Sequence, residues 1–360
     1  MSLHGELRGD RYGLHRVIEP RGVLPQAAER VDNDTSKRFD DEIVIDVERL
    51  NVDSASFVQM EAGADTDEQR RAQVRLAITE TVRERGKQHN PVTGSGGMLL
   101  GRVAHVGSAL RDGPHGSLQV GERIATLVSL TLTPLRLDGI DEVDLSRHQV
   151  RVRGQAILFE TGAWSRLPAF LPESVSLSAL DVAGAAPQVT RIVQRLLAQG
   201  ISSPVVAILG CGGKSGLLCT AAARRAGARV VGIERSEEAA VGARRLGMAD
   251  VGIANAADAL GVSSAVIALA GRTVDLTVSC VNVPDAEMGA ILSTRDGGVI
   301  YFFSMATSFT KAALGAEGVS RDIDMLVGNG YAPGHAQATL DLLEAEPTLR
   351  AIFVERFGAA

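Results

Sequence analysis

Cysteine is scarce in this chain: Cys211, Cys219 and Cys280 are the three present among 360 residues. They stand singly and share no metal-ligand spacing, which argues for reduced thiols and against a structural zinc lobe. Long apolar runs are missing too. None approaches the roughly 20 residues of a membrane span, and the polar N-terminus has no apolar leader segment. The expectation is a cytoplasmic protein with no membrane partner. Positive charge is not in excess, for the formal net charge is −6, so nucleic acid is not the partner the composition suggests. Internal repeats and low-complexity segments are also absent. What remains is 45% apolar and 22% charged, the make-up of an ordinary globular protein long enough for two domains.

The most informative stretch runs from Pro204 to Arg235. Val205 to Leu209 is a short apolar run suited to a strand buried on both faces, and it stops at Gly210-Cys211-Gly212-Gly213. Leu217, Leu218, Ala221 and Ala222 then recur at helical spacing until Gly227, and Arg229 to Ile233 forms a second strand. Glycines at 210, 213 and 216 allow a tight turn and let a pyrophosphate approach the helix N-terminus, with Lys214 and Ser215 in its first turn. Glu234 closes the second strand, where a dinucleotide fold places the acid that bonds the adenosine ribose, and Arg235 follows it. Lys214-Ser215 also imitates a nucleoside-triphosphate loop. That motif needs a glycine where this chain has Ile208, which excludes it. A packing role for the glycines is the competing reading, and the acid at the right place weighs against it.

Around this unit the chain divides. Tyr12 to Gln26 is irregular, rich in Pro, Gly and Arg; regular structure begins at Glu42 with Ile43, Val44, Ile45 and Val47 as a strand. Asp65 to Arg85 reads as a helix with Val74, Ile78 and Val82 on one face and Gly86 as its cap. Met98 to Glu160 has the short strands and turns of an antiparallel barrel. From Leu177 onward strands and helices alternate, with buried strands near 205–209, 229–233, 274–280 and 298–303, the pattern of a doubly wound parallel sheet. The expected class is α/β, with a β-rich domain over 1–171 and a Rossmann domain over 172–330. A last helix, His335 to Glu346, and the rest of 331–360 are expected to pack back on the first domain.

The order of a β-rich domain and a dinucleotide fold resembles the medium-chain dehydrogenase/reductase superfamily, whose first domain is GroES-like. The resemblance rests on Asn51-Val52-Asp53, PVTGSGGMLLGRVAHVG, VGERIATLV and the glycine loop. In the zinc-dependent branch three places hold metal ligands. Here they hold Asp53 or Ser54, Ser95-Gly96 and about Ala183, a set that cannot assemble zinc donors, so no metal is expected. The blocks YGLHRVIEPRGVLPQ, RGKQHNPVTGSGGMLLG, ATLVSLTLTPL, CVNVP, YFFSMATSFTKAALGAEG and NGYAPGHA are similar to the L-erythro-3,5-diaminohexanoate dehydrogenase family. The resemblance implies an NAD-dependent amine dehydrogenase of lysine degradation, a homodimer acting on a small molecule. Hydride leaves C3 for the nicotinamide, and hydrolysis of the iminium releases ammonia and 5-amino-3-oxohexanoate.

That chemistry needs a base titrating near neutrality, since an ammonium cannot lose hydride before it loses a proton. His89, in the loop before HNPVTG, and Asp53 are the candidates, each against a bland alternative: a loop histidine bonding backbone, or a turn-capping aspartate. Ser54, Thr93, Glu160, Asp181 and Tyr331 are grouped as substrate contacts, the two acids as anions for the C5 ammonium. Lys311 and Arg16 are the cations offered to the carboxylate. Cys280-Val281 and Phe303-Ser304 end the fourth and fifth strands, at the sheet edge where nicotinamide binds in such folds. Tyr331 and His335 either shape a pocket or cap the last helix. Two other readings stay open: a metal-free NADPH-dependent quinone or enoyl reductase, and a non-catalytic dinucleotide-binding protein.

Overall fold

The computed structural model describes residues 6–358 without 91–93, 95, 114, 305 and 329, and without the side chains of Ser54 and Ala55. Thr93, Ser95 and the Ser54 side chain, all considered above, therefore lie outside the described residues. Contacts divide the chain into two units, Met1–Asp181 and Val182–Ala360. The division falls later than the expected Leu171-Pro172, because a helix at Glu173–Leu180 stays with the first unit.

In the first unit the stretch expected to be irregular, Tyr12 to Gln26, carries one short strand, β1 (Val17–Glu19), which pairs antiparallel with β2 (Arg30–Val31) just beyond it. The described main sheet is antiparallel and built from β3 (Glu42–Asn51), β4 (Met98–Val106), β5 (Arg123–Thr126), β6 (Leu135–Asp144), β7 (Gln149–Phe159) and β8 (Trp164–Arg166). Its order is β6-β7-β3-β4-β5-β8. Of the first six residues of β3 all but Asp46 are buried, on both faces, because the strand is central, between β4 and β7. A short helix, α1 (Ser54–Met60), and a long one, α2 (Asp67–Arg85), separate β3 from β4. Thr66 and Gln69 form a reciprocal capping box at the start of α2, and Gly86, at φ 71°, ends it in the left-handed conformation. Val74, Ile78 and Val82 point from α2 into the core, as the spacing predicts, and α2 lies against β6. Each such fully buried aliphatic contributes roughly 1.5–3 kcal/mol. The helix α3 (Glu173–Leu180) closes the unit.

The second unit is doubly wound. Strands β9 (Val205–Leu209), β10 (Arg229–Glu234), β11 (Val251–Ile253), β12 (Val274–Ser279), β13 (Thr294–Phe302) and β14 (Ile323–Val327) pair in parallel, in the order β11-β10-β9-β12-β13-β14. The chain direction across the sheet reverses between β9 and β12. Crevices at such a switch point, outside the carboxyl ends of the strands, take ligands. The connections are α4 (Ala185–Ala198), α5 (Lys214–Arg225), α6 (Glu237–Arg245), α7 (Ala259–Ala270), α8 (Glu287–Ser293) and α9 (Phe309–Gly318). The short strands β11 and β14 were not legible in the sequence. Two helices end the chain, α10 (His335–Ala345) and α11 (Pro347–Phe357). They count within the second unit, where α10 meets α4 and α5 and α11 meets α5. This differs from the expected packing on the first domain: the buried faces of Leu340, Leu343, Leu349, Ile352 and Phe353 belong to helices laid on helices of their own unit.

Candidate functional site

The glycine loop joins β9 to α5, and its close contacts explain its composition. Gly210 has φ 78°, and a Cβ there would come within 2.9 Å of Val281, so the ends of β9 and β12 abut at the switch point. A Cβ on Gly216 would stand 2.0 Å from the Gly210 carbonyl oxygen, and one on Gly212 only 1.9 Å from that of Ala239. Gly213 differs, for its nearest such atom is 3.5 Å away. Gly213 is the N-cap of α5 and offers no side chain to it, leaving the helix start for an outside acceptor. Gly212, which the 210/213/216 reading passed over, is thus the tightest of the four.

Gly212 also organises the acid. Its N–H donates to Glu234 Oε1 at 2.9 Å, while the Arg235 N–H donates to Oε2 at 3.0 Å. Two backbone donors hold the carboxylate in place, and each oxygen keeps a second lone pair for a ribose hydroxyl. From the other end of the chain, Arg356 of α11 donates to the Gly212 carbonyl at 2.7 Å. Burial lowers its pKa, and the charge of Glu234 draws it part of the way back. Glu234, Arg235, Arg245, Ile352 and Arg356 line a cleft of about 510 Å³ beside this loop. These residues fit a nicotinamide dinucleotide: a helix start that carries no side-chain cap, for pyrophosphate, and a positioned carboxylate for ribose. No sequence signal pointed to Arg356, which lies far along the chain from the loop it holds.

The other cofactor candidates gather at the same sheet edge. Cys280 N–H bonds the Leu209 carbonyl and Phe303 N–H bonds that of Ser279, each at 2.9 Å. Ser304 Oγ accepts from Ala306 N–H at 3.1 Å, which shapes the loop after β13. Neither Cys211 nor Cys219 is poised as a nucleophile by its surroundings. Burial and the charge of Glu234 push Cys211 up to about 12. Cys219 is raised as well, by its hydrogen bond with Cys280 and by burial.

In the first unit the loop after α2 and the start of α1 come together. A Cβ on Gly97 would lie 2.1 Å from the Asn51 carbonyl oxygen, so the strand entering β4 backs directly onto 51–53. Asn90 Nδ2 donates to Gln59 Oε1 at 2.8 Å, tying the His89 loop to α1. Asp53 caps that helix: it accepts from Ser56 N–H at 2.9 Å and from the Ser56 hydroxyl. The capping alternative therefore describes Asp53 well. His89 is half-buried and its Nδ1 is enclosed with no hydrogen-bond partner. Burial, followed by the charges of Lys87 and Arg85, lowers its pKa, which favours the neutral imidazole.

Several expected substrate contacts are otherwise employed. Arg16 is wholly enclosed: Nε and Nη2 each bond Glu42 at 2.7 Å, and Nη1 and Nη2 bond the carbonyls of Asp34 and Lys37. With its donors turned inward it is a structural cation and does not serve a carboxylate substrate, a correction the sequence could not supply. Lys311 pairs with Asp285 at an exposed site, and that contact raises its pKa. Glu160 pairs with Arg11 at 3.3 Å and is 36% exposed. Asp181 follows α3, its N–H bonding the Leu177 carbonyl. Tyr331 is exposed and meets the buried His335 edge-on at 5.1 Å, and His335 Nδ1 in turn contacts the Ala332 carbonyl. Among the described residues no three His, Cys, Asp or Glu side chains converge as metal ligands, and no helix is long and apolar enough to cross a membrane.

Comparison with known proteins agrees with this architecture. Residues 15–168 match the family model of the L-erythro-3,5-diaminohexanoate dehydrogenase N-terminal domain, and residues 216–330 match one described as zinc-binding dehydrogenase. Among solved structures, the fold is similar to the CurK enoyl reductase (TM-score 0.53, 14% identity, 85% of this chain and 79% of that one). It is similar as well to the mycobacterial Rv1454c complexed with NADPH (TM-score 0.51, 15% identity, 88% of each). The chain is 46% identical to the L-erythro-3,5-diaminohexanoate dehydrogenase of Acetoanaerobium sticklandii, covering 98% of this chain and 100% of that protein. It is 48% identical to the one of Fusobacterium nucleatum subsp. nucleatum, covering 97% and 99%. With near-complete coverage at this identity, the chain belongs to the L-erythro-3,5-diaminohexanoate dehydrogenase family.

Proposed function

We propose that this protein oxidises L-erythro-3,5-diaminohexanoate at C3, releasing 5-amino-3-oxohexanoate and ammonia, as a step of lysine degradation. The observation that carries the reading is the full-length identity with two relatives of that name. When bound, NAD supplies the hydride acceptor. The protein's part is to hold the dinucleotide, strip a proton from the substrate ammonium and later guide water to the iminium. Gly213 with the first turn of α5 receives the pyrophosphate, and Glu234 receives the ribose hydroxyls.

The proton is the harder problem. An amine of ordinary pKa, about 10, is an ammonium at pH 7, and a carboxylate beside it would only stabilise that unreactive form. His89 suits the task because burial and neighbouring cations favour its neutral state. After hydride has left, the imidazolium gives its proton to solvent, and the neutral ring can then take a proton from the water that adds to the iminium and pass it to the amine nitrogen, which leaves as ammonia. Catalysis is proposed to need no metal, supported by the chemistry at the three zinc-ligand places; chelator should leave activity intact. NAD is the proposed cofactor, since Glu234 would repel a 2′-phosphate, with Arg235, Arg245 and Arg356 as the opposing charges on that cleft. A homodimer is proposed from the resemblance alone.

The test is NADH formation with stoichiometric ammonia from 3,5-diaminohexanoate, compared with lysine, simple alcohols and quinones. Turnover of a quinone or alcohol in place of the diamine would overturn the reading. For the cofactor, Glu234→Ala should shift the NAD-over-NADP preference in kcat/KM at least about tenfold toward NADP. An unchanged ratio would show that the carboxylate does not set it.

A further inference from the structure

The last helix of the chain reaches the glycine loop through a charged donor. Arg356, in the final turn of α11, donates from Nη1 to the Gly212 carbonyl at 2.7 Å. Gly212 is constrained from elsewhere as well: its N–H donates to Glu234 Oε1 at 2.9 Å, and its backbone lies so close to α6 that a Cβ would stand 1.9 Å from the Ala239 carbonyl oxygen. Those contacts come from the segment that follows the loop in sequence, β10 and the start of α6. The contact on the carbonyl comes from the far end of the chain. It is charge-assisted, the stronger kind of hydrogen bond, and it falls on a glycine, which has the most conformational freedom to lose when a loop is ordered.

α11 does not depend on Arg356 to stay docked. Leu349, Ile352 and Phe353 are buried, Glu346 at its N-cap pairs with Arg225 of α5 at 2.9 Å, and Glu355 pairs with Arg245 of α6 at 2.7 Å. The ion pairs are exposed and add little, but the buried apolar side chains anchor the helix. A guanidinium turned onto the loop is therefore surplus to holding α11, and its effect falls on Gly212.

We propose that Arg356 is a positioning residue for the dinucleotide: by fixing the Gly212 carbonyl it keeps the Gly212 N–H aligned on Glu234, so that the carboxylate meets the ribose already in place. The docked C-terminal helix thereby becomes part of the cofactor site, and the cost of ordering the loop is met before binding. The inference rests on the proposed NAD cofactor and not on the diamine. An arginine that only stapled α11 would leave NAD affinity untouched. One that touched the cofactor directly would act independently of Glu234.

The measurement is the NAD dissociation constant, by calorimetric titration, of wild type, Arg356→Met, Arg356→Lys, Glu234→Ala and the double variant Glu234→Ala/Arg356→Met, with the Tm of each free protein. Arg356→Met should weaken NAD binding at least about fivefold, and Arg356→Lys, which keeps one charged donor, should stay within about threefold of wild type. The double variant should bind no more than about twofold more weakly than Glu234→Ala alone, because the two residues act along one path. Unchanged affinity in Arg356→Met, whatever its Tm, overturns the proposal and leaves Arg356 a staple. Losses that multiply in the double variant overturn it in favour of a direct contact, and affinity indifferent to Glu234→Ala overturns it by removing the group through which Arg356 acts. If Arg356→Met does not fold, hydrogen exchange of the wild type decides: NAD should slow exchange in the glycine loop and in the last turn of α11 together, and protection of the loop alone overturns the proposal. No readout uses turnover. Inactivity of the wild type toward the diamine therefore counts against the proposed activity alone, whereas failure of the wild type to bind NAD removes the cofactor reading and this proposal with it.

Discussion

Replacing Glu42 by Gln asks whether Arg16 is a buried structural cation. The two side chains are 1% and 0% exposed and joined by Nη2–Oε2 and Nε–Oε1 contacts of 2.7 Å, with His15 Nε2 bonding Oε1 at 2.8 Å. Glutamine keeps the shape but removes the buried counter-charge and leaves the enclosed guanidinium only the partly exposed carboxylate of Asp32 at 3.8 Å, which costs about 3–5 kcal/mol. In a unit of this size each kcal/mol moves Tm by about 2–4 °C, so Glu42→Gln should lower the melting of the first unit by roughly 6–20 °C. The pH dependence carries a definite sign. Burial alone would raise the Glu42 pKa, but hydrogen bonds from Arg16 and His15, with the charge of both, outweigh it and hold the carboxyl below the usual 4.5. Its stabilisation is therefore complete above 4.5 and disappears as pH falls through the lowered folded value. Thermal melts of wild type and variant between pH 7 and pH 3 should converge in acid. A Tm within about 2 °C of wild type at pH 7, accompanied by a raised KM for the amino acid substrate, would show Arg16 to be available to ligand and refute the reasoning.

His89→Asn should lower kcat by roughly 10²–10⁴-fold at neutral pH, with the loss shrinking at high pH where solvent deprotonates the amine. Near-wild-type kcat in that variant, with Asp53→Asn inactive, would transfer the role of base to Asp53. Gly212→Ala forces a Cβ to within 1.9 Å of the Ala239 carbonyl oxygen, so the loop must shift and release Glu234; KM for NAD should rise at least about tenfold. Unchanged NAD binding by fluorescence titration would mean that the loop has slack the structure does not show.

Much of the cofactor half was legible because its signals are local. A strand buried on both faces is a continuous apolar run, and a turn that must admit close backbone approach is written in glycine, so β9, α5 and β10 follow from residues next to one another. The capping of α2 by Thr66 and Gly86 was half legible in the same way. Gly212 was missed because its constraint comes from Ala239, in the following helix. β11 was missed because it is three residues long, and β14 because Asp324 interrupts its apolar run, as an edge strand that is not buried on both faces allows. Arg16 and Lys87 are the clearest failures of local reading. A charged side chain in a polar stretch looks solvated, and nothing nearby in sequence discloses that Glu42 or the Pro25–Gln26 carbonyls will enclose it.

The glycine spacing, the acid after the second strand and the family-specific blocks were enough to establish the class of fold and the family, since these are properties of neighbouring residues and of extended identity. Tertiary structure decided how the polar groups are employed. It set Asp53 as a helix cap, paired Arg16 with Glu42 inside the unit, left the Nδ1 of His89 enclosed without a hydrogen-bond partner, and brought Arg356 from the last helix to the Gly212 carbonyl. The reason is physical: desolvation and pairing depend on which distant segments close over a side chain, and they determine whether that side chain is left to meet a ligand.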